Sequence, residues 1–97
     1  MLFVIYARDK RDGGAARQAH RGAHLEYLKS KGAMIKTAGP LLADDGKAMI
    51  GSMLVIEADD RAAAQAFAKG DPFHEAGVFA SVEIHPWRAS AGSVSFA

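Results

Sequence analysis

Apolar and polar positions fall into blocks along the chain, and the blocks have two characters. LFVIYA (2–7) is apolar at every position and rich in β-branched and aromatic residues, which predicts a strand. RDKRDGG (8–14) is polar, ends in a glycine pair and predicts a loop. From Ala15 to Lys31 there is no proline, and only Gly22 interrupts a helix-forming composition, so a helix is predicted with Gly32 as its stop. AMIKTAG (33–39) predicts a second strand, ended by Gly39-Pro40. Asp45-Gly46 marks a turn, and AMIGSMLVIEA (48–58) predicts a third strand. Asp59 or Asp60 can cap a second helix through RAAAQAFA to about Lys69, with Gly70 as its stop. DPFHEAG (71–77) reads as a brief helical turn, with Asp71 as cap and Pro72 at the first helical position. VFASVEIHPW (78–87) predicts a fourth strand stopped by Pro86, and the small-residue tail after it predicts no element.

The order strand, helix, strand, strand, helix, strand predicts a ferredoxin-like α+β fold. Its sheet has four antiparallel strands, with two helices on one face. One domain over residues 1–88, followed by a tail over 89–97, fits a chain of 97 residues.

The strands add a second expectation. An antiparallel sheet with one wet face alternates apolar and polar residues, and the first strand does not. Leu2, Val4 and Tyr6 share one face, and Phe3, Ile5 and Ala7 share the other. In the third strand Met49, Met53 and Val55 oppose Ile50, Leu54 and Ile56. Two helices cover only one face, and soluble monomers avoid large apolar patches. The pattern therefore predicts a homodimer with its sheets packed face to face.

Composition narrows the function classes. Lys and Arg number 12 against 11 acidic residues, and no basic block stands out, which argues against a nucleic-acid partner. With no cysteine, disulfides, thiol catalysis and thiolate-bound zinc are excluded. The apolar run 2–7 is too short for a signal-peptide core, and no run approaches membrane-spanning length. The expected setting is cytoplasmic, with no membrane partner.

Histidine is the scarce chemical resource: His20, His24, His74 and His85. His20 and His24 stand at i and i+4 on one helix face, a spacing that suits two ligands of one metal. Zinc wants further ligands, and Arg21 stands where a metalloprotease motif carries its glutamate, so no metal site is expected. His20 reads as helix surface. His24 lies at the margin of an apolar stripe formed by Leu25 and Leu28, where it suits either a core-edge histidine or a general base. Asp71 is accounted for as a helix cap. It gains a second role only if its loop returns to the His24 helix, where it would orient the imidazole as a triad aspartate does. Ser52, in an apolar strand, suits a local hydrogen bond or a pocket wall. Arg8 and Arg21 suit solvated surface or the anchoring of an anionic ligand.

The segments MLFVIYARDK, RGAHLEYL, TAGPLL, GSMLVIEA, GDPFHEAGVF and VEIHPW, in this order and spacing, resemble the YciI-like (YCII-related) family from Met1 to Trp87. The resemblance implies a ferredoxin-like fold packed as a dimeric α+β barrel. It also implies a site on His24 and Asp71, with Arg21 heading the Arg-x-x-His stretch and Ser52 in the same pocket. Some relatives are associated with cofactor-independent elimination of HCl from chlorinated hydroxyhydroquinones. The expectation is a small lyase-like enzyme without a cofactor. His24 would be its acid/base and Asp71 would orient it, while Ser52 and Arg21 would bind a small polar or aromatic molecule. The alternative is a non-catalytic ligand-binding or regulatory homodimer.

Overall fold

A computed structural model of the chain describes residues 1–96. The elements run β1 (Leu2–Asp9), α1 (Gly14–Ser30), β2 (Ile35–Leu42), β3 (Met49–Glu57), α2 (Arg61–Gly70), a one-turn helix α3 (Pro72–Glu75) and β4 (Phe79–Trp87). The strands form one antiparallel sheet in the order β2-β3-β1-β4. This is the ferredoxin-like arrangement, with α3 added between α2 and β4.

Two strands run further than their prolines suggest. β2 passes through Pro40 to Leu42, and β4 passes through Pro86 to Trp87. Both lie at sheet edges, where a residue without an N–H can sit with its nitrogen turned away from the ladder. Loop signals are met as expected elsewhere. The Asp45 carboxylate accepts from the backbone N–H groups of Lys47 and Ala48 at 2.8 and 3.1 Å, which holds its own carboxyl below the usual aspartate value. Gly32 and Gly46 take positive φ angles of 57° and 71°. Asp60 caps α2 by accepting from the N–H of Ala63 at 2.8 Å.

The core lies between the sheet and the helices. Phe3 and Ile5 of β1, Leu54 and Ile56 of β3, and Ala64 and Phe67 of α2 are buried together, with Tyr27 and Leu28 of α1 packed against them. The stripe on α1 differs from the expected one at one position: Leu28 packs against the core, but Leu25 is 47% exposed and Tyr27 joins Leu28 in its place. On the opposite face of the sheet Val55 is buried, Leu2, Val4 and Tyr6 are half-buried, and Met53 is exposed. Glu83 and His85 of β4, paired at 3.2 Å, give that face a polar flank.

β3 also breaks its alternation. On the β2 side Leu41 pairs with Gly51 and Leu42 with Met49, so Ile50 is the extra residue of a bulge. Met49, expected on the face of Met53 and Val55, consequently lines a cavity beside Ser52 and Leu54. The kink needs glycine at its corner: a Cβ on Gly51 would stand 2.3 Å from the carbonyl oxygen of Ala7.

Candidate functional site

The site is built where α1, the α2–α3 junction and the bulged end of β3 meet. Asp71 ends α2 and starts α3, and its Oδ1 accepts from the backbone N–H of Phe73 at 2.9 Å. The same oxygen lies 2.8 Å from Nδ1 of His24, across 47 residues of sequence. Both side chains are buried, at 7% exposure for His24 and 3% for Asp71. The Phe73 ring stacks on the imidazole, with centroids 4.0 Å apart and planes within 12°. An ionised carboxylate only accepts, so this geometry puts a hydrogen on Nδ1 and, in the neutral ring, the lone pair on Nε2. Nε2 has no protein partner among the described residues, and no buried side-chain nitrogen goes unsatisfied. Nε2 is thus the ring atom open to the adjacent cavity.

A second buried pair stands beside the first. Arg17, two turns before His24 on α1, donates from Nε and Nη2 to the Asp9 carboxylate at 2.7 and 2.8 Å. Nη2 also donates to Oγ of Ser52 at 2.8 Å. The guanidinium carbon sits 4.6 Å from the centre of the Phe73 ring, so one aromatic ring touches both Arg17 and His24. Asp9 follows the inward set Phe3, Ile5 and Ala7 of β1, and although the residue as a whole is only half-buried its carboxylate side chain is 5% exposed, which demands a cationic partner.

Between these pairs lies a cavity of about 160 Å³. His24, Arg17, Arg21 and Ser52 form its polar side, and Leu28, Met49, Leu54 and Phe73 are among its apolar walls. A wider outer cleft shares Arg17, Arg21, Leu25 and Met49 with it and adds Gln18 and Lys47. Among the described residues no carboxylate lines either space. Tyr27, on the core side of α1, donates its hydroxyl to the carbonyl of Phe67 at 2.8 Å. Burial, and then the negative charges of Asp71 and Glu75, push this phenol above its ordinary pKa.

The structure therefore brings His24, Asp71, Ser52 and Arg21 to one place. Arg21 is exposed at the cavity mouth, while Ser52 is buried and held by Arg17. Arg8 lies apart, along a different depression. His20 is exposed and does not line the cavity. Among the described residues no three histidine or carboxylate side chains gather as a metal cluster would. Arg17 and Asp9 were not singled out from the sequence. The signal was present: Arg17 is seven residues before His24 and so shares its helix face, and Asp9 sits at an inward position of an otherwise apolar strand.

Comparison with known proteins agrees along the chain. The family model described as the YCII-related domain matches residues 1–88. Protein YciI of Escherichia coli O6:H1 and that of Shigella flexneri are each 41% identical over 96 residues, covering 91% of this chain and 97% of theirs. An uncharacterised protein of Haemophilus influenzae is 35% identical over 95 residues, with the same coverage. Among solved structures, 5-chloro-2-hydroxyhydroquinone dehydrochlorinase (TftG) of Burkholderia phenoliruptrix AC1100, in complex with 2,5-dihydroxybenzoquinone, superposes with a TM-score of 0.85. It is 35% identical, and the match covers 93% of this chain and 96% of that one.

Proposed function

The chain belongs to the YCII-related family, and on that premise we propose that it is a small lyase in which His24 is the general acid/base. The observation that carries this reading is the 2.8 Å contact between His24 Nδ1 and Asp71 beside an open cavity. Asp71 fixes the ring orientation and tautomer and stabilises the imidazolium that forms when Nε2 takes a proton. In an elimination, Nε2 removes a proton from the substrate. The electron pair left behind forms the new double bond, and the leaving group departs with its own bonding pair. The imidazolium then returns its proton to solvent through the open cleft.

The dehydrochlorinase neighbour supports elimination from a hydroxylated, halogenated ring as the class to test first. The cavity supports a small substrate: an apolar cavity of about 150 Å³ takes up one benzene. The active unit of this reading is a homodimer joined through the open sheet face, where Val4, Tyr6, Met53 and Val55 form an apolar stripe. The experiment is a chloride-release assay on chlorinated hydroxyhydroquinones, run with the wild-type chain and with His24→Gln.

A further inference from the structure

The Arg17 guanidinium is more completely organised than a structural ion pair requires. Arginine offers five N–H groups. Those on Nε and Nη2 are directed at Asp9 and Ser52. Nη1 has no protein partner among the described residues, yet no buried side-chain nitrogen is left unsatisfied, and Arg17 lines both the cavity and the outer cleft. Nη1 therefore keeps solvent contact, on a side chain that lines the same cavity as His24. The side chain is 6% exposed, clamped by the two-point Asp9 bond and lying over Phe73, so it loses almost no freedom when a ligand arrives.

We propose that Arg17 binds an oxyanion of the substrate through Nη1, and that the cavity selects monocyclic aromatic anions such as phenolates and carboxylates. The inference rests on the cavity being the substrate site, as proposed above, but it does not depend on the lyase chemistry. Three features carry it. The donor is fixed, with Nη1 left unpaired on a residue that lines the cavity. Among the described residues the cavity walls hold cations and no carboxylate, with Arg21 and Lys47 adding positive charge towards the mouth. Arg17 and His24 both touch Phe73, so a ring held by its oxyanion at Arg17 lies within the cavity that Nε2 opens onto. Negative charge that builds on a ring oxygen as His24 takes a proton then meets a donor already in place.

The test uses 4-nitrophenol, whose phenolate absorbs in the visible while the phenol does not. Titrated with wild-type protein, it is expected to bind as the phenolate, with its apparent pKa lowered. Arg17→Gln is expected to abolish that shift and weaken binding roughly 10- to 100-fold. His24→Gln, which leaves Nη1 untouched, is expected to keep the shift. Because Arg17→Gln also breaks a buried ion pair and can fail to fold, benzoate and benzamide are compared on the wild-type chain. Benzoate is expected to bind at least tenfold more tightly than its neutral isostere. Binding of the neutral phenol, equal affinity for benzoate and benzamide, or no binding of either anion at millimolar concentration would overturn the proposal. If the phenolate shift depends on Arg17 but no elimination is found, the lyase reading fails and this one stands.

Discussion

One carboxylate oxygen of Asp71 does two jobs: it accepts the backbone N–H of Phe73 at 2.9 Å and lies 2.8 Å from Nδ1 of His24. The helix cap and the orienting group for the imidazole are the same atom. A residue that looks complete as a cap is therefore also a candidate member of the site, and substitutions can separate the two roles.

Asp71→Asn keeps a good capping side chain and an acceptor oxygen but removes the charge that stabilises an imidazolium. Its unfolding midpoint is expected to stay near that of the wild type, while turnover falls by roughly 10²–10⁴-fold. Asp71→Ala loses the cap and leaves two buried donors without a partner, and is expected to lose about 2–4 kcal/mol of stability as well. Denaturant melts and steady-state rates on the two variants check the separation; an Asn variant as active as the wild type would remove Asp71 from the mechanism.

The bulge in β3 makes a prediction about stability and site shape together. Gly51→Ala forces a methyl to within 2.3 Å of the Ala7 carbonyl oxygen and is expected to cost about 1–3 kcal/mol. Gly39→Ala, at a position with open space around it, is the control and is expected to stay within about 0.5 kcal/mol. Urea midpoints read both.

Tyr27 gives an alkaline signature. Its folded pKa is raised above 10.0 by burial and by Asp71 and Glu75, so the native state holds the phenol proton more tightly than the unfolded chain. That contribution is fully present below pH 10 and is lost as pH rises through the raised value. Tyr27→Phe is expected to cost about 0.5–1.5 kcal/mol near neutrality, from the lost bond to Phe67. The gap to the wild type is expected to narrow when urea midpoints are compared at about pH 8 and about pH 11.

For the dimer, sedimentation of the wild-type chain at micromolar concentration is expected to give twice the monomer mass. Met53→Glu, in the centre of the open sheet face, is expected to shift the chain towards monomer. A wild-type monomer would remove the face-to-face arrangement.

How much of this was legible in the sequence follows from where local rules act. The element order, the Asp60 cap and the Asp45-Gly46 turn follow from residues near each other in the chain, and they were readable. The end of β2 lies beyond the expected one because proline is excluded from a strand only when that strand is central, and edge position is a property of the whole sheet. Met49 was placed on the wrong face because a single inserted residue, Ile50, inverts the period-two pattern. Leu25 was assigned to the core because its helix face was judged from apolar neighbours, without the buried Arg17 and His24. For the site, the sequence offers His24, Asp71, Ser52 and Arg21, with Asp71 as the partner of His24 if its loop returns to that helix; the contact spans 47 residues, so only the fold shows that it does. Arg17 and Asp9 are not legible as a pair in the sequence, because each, read alone, is an ordinary charged residue and only their pairing in the fold gives them meaning.

The most direct test of the central claim is chloride release from 5-chloro-2-hydroxyhydroquinone by the wild-type chain and by His24→Gln, with folding of the variant verified by circular dichroism. The account predicts turnover by the wild type and a loss of roughly 10²–10⁴-fold in a folded variant. A folded His24→Gln protein with wild-type turnover would contradict it.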